Sequence, residues 1–265
     1  MPELKDSLEK IALQSKDAGN SAAFAYSVSS LPPTGMLSYV ERLAKEGVIG
    51  LDESIRIIKA NPILEDETRQ LFDESKRTLK EHYGIEVPEY SLIFSSSVNE
   101  CISSADFSNG EANLILRKII LPEQSLLNVY ITGSHEQAHA YNFENSQLCT
   151  IIKSAALQGD RFAARSMSKE GQFILEGWAS FIEEACAKIR AQKIGCDLHQ
   201  RCYERIRSSE YDWRRKNQPL HKNILKYNGA EFFNKIFEKK GFESAKYAAN
   251  NLITNEQLKE FADSC

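Results

Sequence analysis

SHEQAHAY, residues 134–141, sets His135 and His139 four positions apart, with Glu136 directly after the first histidine. On an α-helix each residue turns by about 100°, so positions i and i+4 share a face one turn apart. Both imidazoles can then aim a ring nitrogen at a single point, as a zinc ion needs at about 2.0–2.1 Å. Glu136 is rotated off that line. A general base needs that offset, which is close enough to take a proton from a bound water without becoming a ligand itself.

The residues around the motif read as a buried helix. Leu126, Leu127, Tyr130, Ile131, Ala138 and Phe143 supply apolar cover, while Gly133 and Ala140 allow close approach by neighbours. Two histidines and a glutamate inside such a helix are costly to bury without a partner. A metal ion is such a partner. Chance would place H-E-x-x-H in a chain of this length on the order of 1% of the time, so the pattern needs a third ligand to become specific.

The extended pattern H-E-x-x-H-x-x-G-x-x-H would put glycine at 142 and histidine at 145, where the chain has Asn142 and Asn145, so that class is excluded. Further on, FILEGWASFIEEACAKI, residues 173–189, carries Phe173, Ile174, Trp178, Phe181, Ile182 and Ala185 at helical spacing. Glu176 sits among them, next to Gly177. As a ligand it would complete a set of two histidines and one glutamate, one Zn2+ per chain, with a fourth position open to water. Glu183, seven residues on, returns to nearly the same face and could accept a hydrogen bond from a ligand histidine, fixing its tautomer.

Composition sets wider bounds. The 265 residues are 42% hydrophobic and 26% charged, ordinary for a globular protein, with a formal net charge of -4. That balance gives no bulk electrostatic reason to expect nucleic acid or an anionic membrane as partner; WRRK at 213–216 reads as a solvated segment. The first residues mix acids and bases and resemble neither a secretory signal nor a mitochondrial presequence, and no apolar run is long enough to span a membrane. A cytoplasmic setting is the expectation, with export by a specialised machine left open. The six cysteines form no C-x-x-C pair and read as free thiols.

Along the chain, Leu4, Leu8, Ile11 and Ala12 form a helical stripe, and helices are expected near 36–46, 52–60 and 64–84. YSLIFSSS at 90–97 and ANLILRKII at 112–120 read as two strands joined by a loop. From about 124 onward the pattern is helical, with breaks expected near Gly159, Gly171, Pro219 and Gly241. The division expected is a helical N-terminal region, 1–86, and a metal-binding domain, 87–265.

HEQAH, followed by LEGWASFIEE and then by YNGAEFFNKIFEKKG at 227–241, resembles the gluzincin group of metallopeptidases, which includes thermolysin and the aminopeptidase N family. The likeness covers roughly residues 90–245. It implies an α+β, mostly helical, zincin-like fold: a small mixed β-sheet with an edge strand before the zinc helix, then a helical C-terminal part. It also implies a zinc-dependent metallopeptidase that hydrolyses peptide bonds in a peptide or protein substrate, with Glu136 as base. The edge strand, at 112–118, would pair with extended substrate through Asn113 and Leu114. Tyr227 would donate to the oxyanion, with His221 as second choice. The chain departs from the group in two places. NGEAN at 109–113 replaces the aminopeptidase G-x-M-E-N, so nothing points to recognition of a free N-terminus, and Ser180 stands where thermolysin-like proteins carry an aspartate.

Two other readings use the same residues. Glu136 and His139 form E-x-x-H, the unit of di-iron helical bundles, but no second unit precedes any other histidine. A catalytically inactive zincin-fold binding or scaffold protein would keep the metal and lose the chemistry.

Overall fold

Met36, Leu37, Val40 and Leu43 recur at helical spacing and are all buried, which makes the first described element, α1 (Met36–Lys45), an amphipathic helix. The computed structural model describes residues 36–60, 65–95, 111–113, 118–122, 126–217 and 222–264; the helical stripe expected at Leu4–Ala12 lies outside them. α2 (Leu51–Ala60) and α3 (Glu65–Tyr83) follow, within a few residues of their expected bounds. After the strands come α4 (Leu126–Asn145), α5 (Gln147–Leu157), α6 (Arg161–Ile194), α7 (Leu198–Asn217), α8 (Lys222–Lys240), α9 (Phe242–Asn251) and α10 (Asn255–Asp263). Among the described residues, no helix is long and apolar enough to cross a membrane. Cys149, Cys186, Cys196 and Cys202 are free and buried; Cys101 and Cys265 lie outside the described residues.

The strands are β1 (Ser91–Ser95), β2 (Glu111–Asn113) and β3 (Lys118–Pro122), in the order β1-β3-β2. β1 runs parallel to β3, with Ser91 opposite Lys118, and β2 runs antiparallel to it, with Asn113 also opposite Lys118. The segment 112–120, expected as one strand, therefore doubles back on itself. A continuous apolar run carries no mark of where the chain reverses, because both arms of a hairpin need the same residue types.

The expected α+β, mostly helical, zincin-like fold, with a small mixed β-sheet and an edge strand before the zinc helix, is corrected by this architecture, which is helical almost throughout the described residues. Its strands are only five, three and five residues long. The two clusters of buried apolar side chains among the described residues draw on the helices and on short joining segments at 48–49, 85–87, 196 and 252–253. This is helix-on-helix packing, in which helical stripes cover one another and no sheet face is needed as a core layer. In the larger cluster Trp178 of α6 meets Phe233 of α8 edge-on at 5.5 Å, and Phe181 lies 6.2 Å from Phe242 of α9. Aromatic pairs of this kind add roughly 0.5–1.5 kcal/mol each beyond the area they bury.

The second cluster joins α1 and α2 to Tyr130 and Ile131 of α4 and to Leu198 and Cys202 of α7. A buried ionic group ties the same elements. The Arg190 guanidinium on α6 contacts both carboxylate oxygens of Glu41 on α1, at 2.9 and 3.0 Å, and also pairs with Glu74 of α3. Tyr130 donates its hydroxyl proton to Glu41 at 2.7 Å. The residues before position 86 thus share a core with those after it.

α6 runs unbroken through Gly171, a second correction. A Cβ there would lie 2.7 Å from the Leu148 side chain, so this glycine serves close approach by α5 and not termination. Gly159 and Gly241 do mark helix ends, at positive φ. Pro219 falls outside the described residues.

Candidate metal centre

α4 is buried around its circumference, which is why it shows no single apolar stripe. Ser134, His135, Glu136 and Gln137 are four polar residues in a row, all at most 6% exposed. Each needs a partner there. Gln137 finds one by donating to the Phe72 carbonyl of α3 at 2.8 Å. Glu136 has no hydrogen bond or ion pair among the described residues.

His135 and His139 face Glu176 of α6. The two Nε2 atoms are 3.1 Å apart. Glu176 places Oε2 3.3 Å from His135 Nε2 and Oε1 3.6 Å from His139 Nε2. A tetrahedral ion with bonds of about 2.0–2.1 Å would space its ligand atoms roughly 3.3–3.4 Å apart. The three separations scatter about that value, so the donor set fits zinc in both type and spacing. Among the described residues these are the three whose ligand atoms cluster in this way. Glu176 is 33% exposed at its side chain, which leaves the cluster open on one side.

The far nitrogen of His135 is engaged as well. Nδ1 lies 3.3 Å from Oε2 of Glu183, which is 2% exposed; this is an ion-pair distance, and neither atom makes a hydrogen bond among the described residues. The ring is thus held between two carboxylates. Burial and the Lys226 ammonium both disfavour a charged imidazole here, but Glu176 and Glu183 outweigh them and raise the His135 pKa to about 9. Burial also works against the charge of Glu176, which the His139 and His135 rings nevertheless hold well below the usual carboxylate range. Two carboxylates around one buried imidazole favour a cation there. In the metal-free protein a proton on His135 supplies it.

The other sequence candidates fall in different places. Tyr227 is 4% exposed and lies with its ring 5.4 Å from the Arg207 guanidinium of α7. Asn113 ends β2, while Leu114 and His221 lie outside the described residues. Ser180 is fully buried, and its carbonyl accepts the Tyr203 hydroxyl at 3.3 Å. Of the remaining histidines, His82 is exposed at the end of α3. His199 stacks on Tyr130 at 4.2 Å, where burial and then Arg190 lower its pKa to about 3.

Sequence reasoning missed Lys226, a half-buried residue on α8 whose charge is felt at His135. The available signal was its place one turn before Gly229, the glycine through which α8 meets α6. No protein-family model, curated protein or solved structure matches the chain.

Proposed function

We propose that the protein is a zinc-dependent metallopeptidase with a gluzincin-type ligand set, acting on peptide or protein substrates. The observation that carries this reading is the convergence of His135, His139 and Glu176, whose ligand atoms all lie within 4.8 Å of one another. Beside them stands Glu136, a buried carboxylate with no partner among the described residues. Zinc in this set would bring the pKa of a coordinated water towards about 7 and polarise a carbonyl.

The chain's own residues supply the remaining functions. Glu183, 3.3 Å behind Nδ1 of His135, would orient the ring and keep Nε2 turned to the ligand cluster once the imidazole binds metal. Glu136, one residue along the helix, accepts a proton from the attacking water and later delivers it to the leaving amine nitrogen.

The test combines metal analysis with hydrolysis of denatured casein and of a quenched fluorogenic peptide library. Purified protein should hold one zinc per chain, and chelation should abolish cleavage. Glu136→Gln should keep the zinc and lower kcat by roughly 10²–10⁴-fold. Zinc bound at these residues without hydrolysis by the unaltered protein would instead leave a binding module, and full activity in E136Q would remove Glu136 as base.

A further inference from the structure

Where α3, α4, α6 and α7 meet, a cavity offers about 20 Å³ to a water-sized sphere. About 10–15 Å³ on that measure admits one water molecule, so the space suits a very small ligand. Its wall combines Glu74 and Thr78 of α3, Ser134 of α4, and Cys186 and Arg190 of α6 with His199 of α7. None of His135, His139 and Glu176 lines it, which makes it a place distinct from the candidate metal centre.

His199 is the residue of this wall that lacks a partner. It is 8% exposed, and its Nδ1 is enclosed and makes no hydrogen bond. The ring stacks on Tyr130 with centroids 4.2 Å apart, a contact that fixes its plane. Burial and the Arg190 guanidinium outweigh the Tyr130 backbone and lower the His199 pKa to about 3. The ring is therefore neutral at pH 7, with one nitrogen a donor and the other an acceptor. An enclosed ring nitrogen of either kind is costly to leave unbonded.

Charge on the wall decides what the cavity takes. Arg190, Glu41 and Glu74 already pair with one another, and Glu41 also accepts the Tyr130 hydroxyl. An added cation would meet the guanidinium of Arg190, and an added anion the carboxylate of Glu74. A soft metal ion would need Cys186 as thiolate, but burial, helped by Glu183 and Glu74, pushes that thiol up to about 12. A neutral hydrogen-bonding molecule remains. Water meets the limit on size, and as donor and acceptor at once it serves His199 in either tautomer.

We propose that one ordered water occupies this cavity, hydrogen-bonded to Nδ1 of His199 and to at least one of the hydroxyls of Thr78 and Ser134. Buried waters of this kind make about three hydrogen bonds and belong to the fold as much as a side chain does. This one joins α7 to α3 or α4, a tie between the first helices and the rest beside the ionic group of Arg190. It holds whether or not the protein is a peptidase.

The experiment pairs crystal structures of the unaltered protein and of His199→Phe, at a resolution where single waters are seen, with NMR cross-relaxation between water and the His199 ring protons. His199→Phe keeps a ring to stack on Tyr130 and removes Nδ1. In the unaltered protein one water should lie about 2.7–3.2 Å from Nδ1, with a water cross-peak to the ring protons. That water should be gone from His199→Phe. A protein group bonded to Nδ1, a dry cavity, or density for an ion or an organic molecule there would overturn the assignment. So would a water that keeps its position in His199→Phe, since Nδ1 would then not be what holds it. Where His199→Phe fails to fold, the unaltered protein still decides: the cross-peak together with the crystallographic water upholds the site, and the absence of both overturns it.

Discussion

His135 uses both of its ring nitrogens, and that sets its response to pH. Its folded pKa, about 9, lies above the 6.5 of a free imidazole because Glu176 and Glu183 outweigh burial and Lys226. A group raised in this way contributes stability that is fully present below pH 6.5 and is lost as pH rises through 9. Glu176, held low, has the opposite slope, and its contribution is lost only in acid. Chelator-treated protein should therefore show a falling Tm between about pH 6.5 and pH 9, measured by calorimetry. Zinc should remove that decline, since the ion replaces the proton at Nε2, and should itself be released in acid as the histidines protonate. Glu183→Gln separates the two carboxylates. It removes the negative charge behind His135, so the alkaline decline should shrink and zinc affinity should fall by about 10–100-fold.

α6 and α8 owe their separation to two residues without side chains. Gly177→Ala would place a methyl 2.5 Å from the Gly229 Cα, contact with backbone that no side-chain rotation relieves. The helices must part. Overpacking of this kind costs about 1–3 kcal/mol, and here it also moves Glu176 away from the two histidines. Both a lower Tm and a weaker zinc affinity are expected for Gly177→Ala, the first by calorimetry and the second by chelator competition. Loss of stability with zinc affinity unchanged would show that the ligand helix is held by other contacts. The partnership of these two helices was only half legible. Glu176 stood out because a charged residue beside glycine in an apolar helical stripe needs a reason, whereas nothing in YNGAEFF says which helix Gly229 approaches.

At the scale of the molecule, the first three helices are fastened to the rest through one buried ionic group and a shared apolar cluster. Burial opposes the charge of Arg190, but Glu41 and Glu74 raise its pKa, and the Glu41 carboxylate also takes the Tyr130 hydroxyl. Glu41→Ala leaves the buried Arg190 guanidinium with Glu74 as its one remaining carboxylate and the Tyr130 hydroxyl without its acceptor, which should destabilise the fold by about 1–3 kcal/mol. Replacing Glu41, Glu74 and Arg190 together by methionine should recover much of that loss, because no member of the ionic group is then left unpaired. Chemical denaturation of the single and triple variants checks both outcomes. A fragment beginning at residue 87 should fail to fold as a monomer, since Tyr130, Ile131, Leu198 and Cys202 lose the cover of α1 and α2; size-exclusion chromatography would reveal a soluble monomer if that were wrong.

The sequence by itself determined what is local. A three-and-a-half-residue periodicity marks α1 to α3 to within a few residues, and four-residue spacing on one helix brings His135 and His139 to one point, because helix geometry is the same wherever the helix sits. Its reading failed where local signals serve two purposes. Gly171 looked like a helix end and is a contact with Leu148; the run at 112–120 looked like one strand and folds back as two; the resemblance over roughly 90–245 implied a zincin-like fold with a small mixed sheet, where the described residues pack helix on helix. Tertiary structure alone decided that Glu176 comes within 3.3 Å of His135 and that Glu41 meets Arg190 across 149 positions of chain. Charge pairing and burial depend on which helix faces which, and that choice is made by the summed packing of all of them.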